Sequence, residues 1–214
     1  RVLEVKRQVL AERNAFMEGV KQTWDNLPIT PARMMAEIAQ SLPINAIVVD
    51  DSLSNRASLR RFIQAQNRGD IIGVRGQSIG GGIGATMGVQ CANPEKKVFG
   101  IIGDGSAMMT IQGLWTAANE SIPCVFIICN NGMYRILKTN YAIYQKDILR
   151  ETEIAGPNLL HSDFAIPFDV ASIANSMGVY GERIDRPEQI KPAIANAASM
   201  NMPVLLDIII DGSM

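Results

Sequence analysis

The stretch VFGIIGDGSAMMTIQGLWTAANESIPCVFIICNN, residues 98–131, contains two apolar runs of strand length separated by a segment of helical period. The first run ends in Gly-Asp-Gly at residues 103–105, and the second ends in Asn130 and Asn131. Nearly continuous apolar runs rich in β-branched residues are typical of strands buried on both faces of a parallel sheet. The stretch therefore predicts a strand–helix–strand unit with polar groups at the carboxyl ends of both strands.

The same alternation continues on both sides of this unit. Strands that alternate with helices imply right-handed crossovers and a parallel sheet, with ligands bound at the carboxyl ends of the strands. We therefore predict an α/β fold, a doubly wound, mostly parallel six-stranded sheet with helices on both faces. The strand candidates are residues 45–50, 71–75, 98–103, 124–129, 179–184 and 204–210, and the helix candidates are residues 54–66, 80–91, 110–120, 169–177 and 187–198.

The two ends of this pattern suggest the domain organisation. Residues 1–28 begin with a charged segment of helical character, and we expect them to be a linker helix from an absent upstream domain. Residues 29–214 are expected to form one domain. Residues 136–168 include many turn formers and are expected to be a mobile loop over the site.

Composition limits the partners. The chain has 20 basic and 21 acidic residues, a net charge of -1, so it carries no broad electrostatic attraction for nucleic acid or an anionic membrane. Any anionic ligand must be held locally. The three cysteines lack metal-ligand spacing and are expected to be reduced core residues of a cytoplasmic protein. The only histidine, His161, is expected to be an exposed loop residue.

A glycine-rich segment supports two interpretations. Residues 80–85, GGGIGA, satisfy the dinucleotide pattern G-x-G-x-x-G/A, follow a strand and open a helix, which would indicate an NAD-type oxidoreductase. However, four residues separate the predicted strand end from Gly80, where the dinucleotide fingerprint needs a tight turn. We favour the alternative that small residues let a helix lie close to another backbone, at Gly80, Gly81, Gly82, Gly84 and Gly88.

Asp104 poses a conflict that a cation would resolve. Backbone N–H groups at the start of the helix after Gly105 attract phosphate, whereas the Asp104 carboxylate repels it. Mg²⁺ between them would need six oxygen ligands at about 2.0–2.1 Å. Asp104, the Asn131 amide oxygen and a main-chain carbonyl near Met133 can offer three. The alternative is that Asp104 caps a helix and residues 130–132 form an ordinary turn.

The spacing GDG, 24 residues, NN resembles the thiamine diphosphate motif. With the surrounding LWTAA, IP and NNG, and with GVQ and NPEKKV upstream, the chain is similar to the C-terminal cofactor domain of benzoylformate decarboxylase and acetolactate synthase-like 2-oxoacid enzymes. The resemblance implies thiamine diphosphate and Mg²⁺ as cofactors. It implies Asp104 and Asn131 as metal ligands through their side chains and Met133 through its carbonyl.

The resemblance also implies residues that bind the coenzyme. Gly105, Ser106 and Ala107 would meet the diphosphate through backbone amides, Ser106 also through its hydroxyl. Ser54 and Asn55 would contact the terminal phosphate, although Ser54 could equally be the N-cap of the following helix.

Further residues would contact the coenzyme's ring system or the substrate. Ile79 would wedge the two rings of the coenzyme into a V, and the carbonyl of Gln77 would accept from its 4'-amino group. Tyr134 is a cofactor-site candidate or a core aromatic. Leu137 and Asn140 would line the substrate pocket, and Asn140 stands where benzoylformate decarboxylase has an aromatic, which argues against an aryl substrate.

The activity implied is decarboxylation or carboligation of a small 2-oxoacid. The partner implied is a pyrimidine-binding domain, from the same or a partner subunit of a homodimer or homotetramer, that supplies an activating glutamate. We expect this chain alone to be inactive. Besides the NAD-type oxidoreductase, the remaining alternative is a non-catalytic module that binds a cofactor or partner.

Overall fold

A six-stranded sheet lies at the centre of the computed structural model, which describes residues 1–74, 78–150 and 159–213. Every pair of neighbouring strands is parallel, in the order β2-β1-β3-β4-β6-β5. The predicted fold class and all six predicted strands are confirmed. The strands are β1 (Ile47–Asp51), β2 (Ile71–Gly73), β3 (Val98–Gly103), β4 (Val125–Asn130), β5 (Tyr180–Ile184) and β6 (Val204–Ile209).

Helices cover both faces of the sheet. One face packs against α2, α3 and α9, with Met35, Leu59 and Ile194 in its core, and the other packs against α4, α6 and α8. The helices are α1 (Val2–Gln22), α2 (Pro31–Ser41), α3 (Arg56–Phe62), α4 (Gly81–Ala92), α5 (Asp104–Met108), α6 (Gly113–Asn119), α7 (Arg135–Ile143), α8 (Val170–Ser176) and α9 (Ile190–Ser199), with 3₁₀ turns at Leu53–Asn55 and Pro187–Gln189 and a π-helix at Tyr144–Leu149.

The strand order positions the site. After β1 the chain adds β2 on one side and then returns across β1 to form β3 on the other side. Such a reversal opens a crevice at the carboxyl ends of the strands between which it occurs, here β1 and β3. Asp51, Gly103 and Asn130 end β1, β3 and β4 and therefore lie at the same edge of the sheet.

The mobile-loop prediction for residues 136–168 is wrong at its start, because α7 and the π-helix occupy residues 135–149. The chain contains neither Gly nor Pro between Gly132 and Gly156, so nothing in its composition interrupts a helix there. The remainder of the predicted loop includes residues 151–158, which lie outside the described residues. Helix α2, which the sequence reading omitted, begins with Thr30 as a side-chain N-cap and Pro31 at its first position.

Helix α1 confirms the helical character of the first residues, whereas their role as a linker stays a prediction. Within the part of the chain that the structure describes, no helix has the length and apolar character needed to cross a bilayer.

Candidate functional site

The carboxylate of Asp104 joins the ends of two neighbouring strands. It follows β3 directly and is 4% exposed. Its Oδ1 accepts from the Gly105 N–H at 2.7 Å, while Oδ2 accepts from the N–H groups of Asn131 at 3.1 Å and Gly132 at 2.8 Å. The helix-cap alternative is wrong, because the N-cap of α5 is Gly103, Asp104 is the first residue of the helix, and no side-chain cap bond is present there. The two bonds to Oδ2 bring the predicted metal ligands at the ends of β3 and β4 into direct contact.

Burial makes the charge on Asp104 costly. Desolvation raises the pKa of its carboxyl to about 6, although the three backbone N–H donors oppose the shift and the nearby Asp207 adds to it. Among the described residues no lysine or arginine forms an ion pair with Asp104. A divalent cation would supply the positive charge that a buried carboxylate ordinarily requires.

The turn after β4 presents the second predicted ligand. The amide oxygen of Asn131 accepts from the Met133 N–H at 3.1 Å, an Asx-type turn that orients the side chain, and Gly132 adopts a positive φ of 67°. No group of three or more His, Cys, Asp and Glu side chains among the described residues could hold a metal. One carboxylate with amide and main-chain oxygens remains, a hard donor set that fits Mg²⁺.

The turn after β1 contributes a buried acceptor without a partner. Asn55 is 2% exposed, and its Oδ1 is the one buried side-chain polar atom in the described ranges that lacks a hydrogen bond. Buried acceptors are nearly always satisfied by protein or ordered water, so this atom fits a place where a ligand or bound water donates. The cap interpretation of Ser54 is wrong, because α3 begins at Arg56 and Ser54 lies inside the preceding 3₁₀ turn.

These turns line one small, partly open pocket. It brings together seven of the predicted site residues: Ser54, Asn55, Asp104, Gly105, Asn131, Met133 and Tyr134, with Ser52, Leu53, Gly103, Cys129, Arg135 and Ile136 completing the lining. Tyr134 packs its ring against Gly105, where an added Cβ would lie 2.5 Å from the Tyr134 Cε1. Gly105 is therefore required for the approach of this aromatic side chain.

The structure separates other predicted residues from the pocket. Leu137, 46% exposed, and Asn140 lie on the exposed side of α7, and Ile79 is 47% exposed. Gln77 lies outside the described residues. His161 is exposed as predicted.

The cysteine prediction holds for two of the three residues. Cys124 and Cys129 are buried, whereas Cys91 is exposed, so its prediction as a core residue is wrong.

Asp51, which the sequence reading did not select, organises the start of two helices. Its Oδ2 accepts from the Ser106 hydroxyl at 2.6 Å and from the Gly82 N–H at 3.0 Å, and Ser106 in turn accepts from the Gly80 N–H at 2.7 Å. Burial raises the pKa of Asp51, which the Ser106 bond partly offsets. The two consecutive acids Asp50 and Asp51 at the end of β1 are the sequence feature that could have identified this residue. Since the Ser106 proton is committed here, its contact with a phosphate stays a prediction.

The Ser106→Ala variant is expected to lower the free energy of unfolding by about 1–3 kcal/mol, because the Asp51 carboxylate loses a donor and Gly80 an acceptor, both buried. Urea denaturation measures the loss. Ser199→Ala, which removes an exposed hydroxyl bonded to Asn196 O, is the control and should change stability by less than about 0.5 kcal/mol. Equal effects from the two variants would refute the role given to the Asp51 bond.

The glycine-rich segment at the start of α4 is closely packed, as the packing interpretation predicts and the dinucleotide interpretation does not require. A Cβ at Gly82 would lie 2.7 Å from the Asp51 Oδ2, and one at Gly81 would lie 2.6 Å from a Val74 methyl. The packing interpretation therefore holds for Gly81 and Gly82, and also for Gly80, where an added Cβ would lie 2.7 Å from the Met109 Cβ. It is wrong for Gly84 and Gly88, where an added Cβ would have no neighbour within 4 Å.

The sheet order, the Asp104–Asn131 contact and the hard oxygen donors fit a phosphate site assisted by a cation in a doubly wound domain. Residues 54–208 match the family described as thiamine pyrophosphate enzyme, C-terminal TPP binding domain, and the chain belongs to that family. It is the domain in which these enzymes bind thiamine diphosphate and Mg²⁺, and an NAD-type function is not favoured.

Individual relatives agree with this assignment. The chain is 30% identical over 181 residues to benzoylformate decarboxylase of Pseudomonas aeruginosa, covering 85% of the chain and 32% of the relative. It is 33% identical over 171 residues to a putative acetolactate synthase large subunit of Mycobacterium tuberculosis, covering 79% and 32%. The chain thus spans about a third of the length of these curated relatives.

Among solved structures, the chain resembles the thiamine diphosphate-dependent 4-hydroxybenzoylformate decarboxylase of Rhodococcus jostii RHA1. The TM-score is 0.76 at 29% identity, with 87% of this chain and 33% of that one covered.

Proposed function

We propose that the protein containing this chain decarboxylates or ligates a small 2-oxoacid, and that this chain is its diphosphate-binding part. The observation that carries the proposal is the buried Asp104 carboxylate bonded to the backbone of Asn131 and Gly132. The relatives named as decarboxylases and acetolactate synthases support the reaction class. Thiamine diphosphate, when bound, supplies a nucleophilic carbon and an electron sink for the 2-oxoacid carbonyl.

The chain's own residues bind and orient in this proposal. Asp104 and Asn131 hold Mg²⁺ through side-chain oxygens and Met133 through its carbonyl. The backbone amides of Gly105, Ser106 and Ala107 would bind the diphosphate, and of these three residues Gly105 lines the pocket. The turn after β1 also lines this pocket, and its Ser54 and Asn55 would bind the terminal phosphate.

The ring system of the coenzyme would lie beyond the pocket, at the exposed edge of the domain. Ile79 is assigned as the apolar wedge, and the carbonyl of Gln77 as the acceptor for the 4'-amino group. Leu137 and Asn140 would face the substrate. Because Ile79, Leu137 and Asn140 are exposed in the isolated chain, we propose that a pyrimidine-binding domain of the same or a partner subunit covers them in a homodimer or homotetramer. The chain alone would then be inactive, with residues 1–28 as the linker to the rest of the protein.

Two measurements on the full-length protein test this proposal. We expect calorimetry to detect binding of thiamine diphosphate only when Mg²⁺ is present, and no binding of NADH. We also expect release of CO₂ from at least one member of a 2-oxoacid panel that includes pyruvate and benzoylformate. Metal-independent binding of NADH would support the oxidoreductase instead. Coenzyme binding without turnover of any panel member would support the non-catalytic module.

A further inference from the structure

Residues 159–168, which we call the strap, are bonded along the backbone to the turn that carries the predicted metal ligands. The Tyr134 N–H donates to the Ser162 carbonyl at 2.7 Å, and the Phe164 N–H donates to the Gly132 carbonyl at 2.9 Å. The turn donates in the first of these bonds, and the strap donates in the second. The position of the turn therefore depends on the position of the strap.

The centre of this connection is the residue predicted to bind Mg²⁺ through its carbonyl. Met133 and Asp163 pair as an isolated antiparallel bridge. The Asp163 carboxylate also forms an ion pair with the ammonium of Lys138, which lies in the first turns of α7. Met133 and Lys138 are close in the chain, so the bridge and the ion pair together close a small ring through the start of α7. Asp163 is thereby attached at two independent points.

The burial of this ion pair is asymmetric. The side chain of Lys138 is 7% exposed, whereas that of Asp163 is 62% exposed. Among the described residues the pair with Asp163 is the one ion pair that Lys138 makes. A buried ammonium that loses its carboxylate is left uncompensated, and its surroundings rearrange to hydrate it. The rearrangement would be transmitted directly to the Met133 bridge.

Aromatic packing extends the contact from the strap to the diphosphate segment. Phe164 meets Tyr134 edge to face at 4.8 Å between ring centroids and meets Phe168 at 4.7 Å. The Tyr134 ring in turn lies against Gly105, whose backbone is assigned to the diphosphate. Movement of the strap would therefore displace both the turn of residues 131–134 and the backbone of Gly105.

We infer that Lys138 and Asp163 are positioning residues for the bound cation: their ion pair fixes the strap, and the strap fixes the Met133 carbonyl. The inference rests on the proposed function, because it assumes that Met133 binds Mg²⁺. Neither side chain lines the pocket, so their effect is transmitted through the backbone of residues 131–134. Outer residues of this kind commonly change metal affinity by about 10–100-fold when altered.

The test is a Mg²⁺ titration of the full-length protein at saturating thiamine diphosphate, followed by calorimetry rather than by turnover. We expect Asp163→Asn and Lys138→Met each to raise the Mg²⁺ concentration for half-maximal binding by about 10-fold. The double variant should be no weaker than either single variant, because both remove the same ion pair. Lys138→Arg keeps the charge and should restore near-normal affinity. Lys146→Met, at an exposed position in the π-helix, is the matched control and should bind Mg²⁺ normally.

Each outcome decides the inference. Normal Mg²⁺ affinity in Asp163→Asn overturns it, and this variant decides the question if Lys138→Met does not fold, because Asp163 is largely exposed. A Lys138→Arg variant as weak as Lys138→Met also overturns it, since packing rather than charge would then matter. If the unaltered protein shows no Mg²⁺-dependent binding, the proposed function fails together with the inference. Normal binding by the unaltered protein and by every variant refutes the inference alone.

Discussion

The Asp104→Asn variant is expected to lose Mg²⁺-dependent binding of thiamine diphosphate, with an affinity at least about 100-fold below that of the unaltered protein. Substituting a residue that only contacts a metal ligand can already lower metal affinity by about 100-fold. Asp104 itself supplies the only carboxylate among the predicted ligands. Asparagine keeps the shape and one acceptor oxygen, but removes the negative charge that would attract Mg²⁺. Calorimetry at pH 7.5 with and without Mg²⁺ measures the loss.

The fold should survive this substitution. Burial already disfavours the charged form of Asp104, raising its pKa to about 6, so a neutral side chain removes a desolvation cost even as it loses part of the bonding to Gly105, Asn131 and Gly132. Circular dichroism should therefore show an unchanged spectrum. The control is Asp147→Asn, an exposed acid in the π-helix, which should bind the coenzyme normally. Coenzyme affinity in Asp104→Asn equal to that of the unaltered protein would show that the metal assignment is wrong.

The second large effect is expected from Gly82→Ala. Its Cβ would lie 2.7 Å from the Asp51 Oδ2 and 2.9 Å from the Ile102 Cγ1, both in buried side chains. Relief requires Asp51 to move away from the Ser106 hydroxyl, so the clash also breaks a buried hydrogen bond. We expect the free energy of unfolding to fall by about 1–3 kcal/mol, as measured by urea denaturation.

Gly88→Ala provides the matched control in the same helix. An added Cβ there has no neighbour within 4 Å, so the substitution should be neutral or stabilising by up to about 1 kcal/mol through its better helix propensity. The same substitution in the same helix therefore isolates the effect of the contacts that the added Cβ makes. A Gly82→Ala variant as stable as Gly88→Ala would contradict the prediction, because Asp51 would then move aside without any loss in the free energy of unfolding.

The fold was accessible from the sequence because the strands are buried on both faces. β3 and β4 are fully buried along their lengths, and this leaves a continuous apolar signature ending in polar residues. The meeting of Asp104 and Asn131 could be predicted for the same reason, since they are the first polar groups after those strands, and their role as metal ligands stays a prediction. The sequence reading missed α7 because turn residues farther along the segment masked its helical pattern.

Other features depended on contacts between distant residues. The Asp51–Ser106 bond joins β1 to α5, and the Lys138–Asp163 pair joins α7 to the strap, so neither leaves a local pattern. The roles of Gly82 and Gly84 also differ only through their neighbours. Helix periodicity gives no information on which glycine faces a buried carboxylate and which faces solvent.

The strand order has a consequence for how a bound coenzyme would affect stability. β3 and β4 are consecutive strands, whereas β1 joins β3 only after the chain has completed β2 and α4, so the pocket unites three turns that lie far apart in the chain. Unfolding separates these turns. A ligand that contacts all three binds the folded domain and not the unfolded chain, and is therefore expected to raise the free energy of unfolding by mass action.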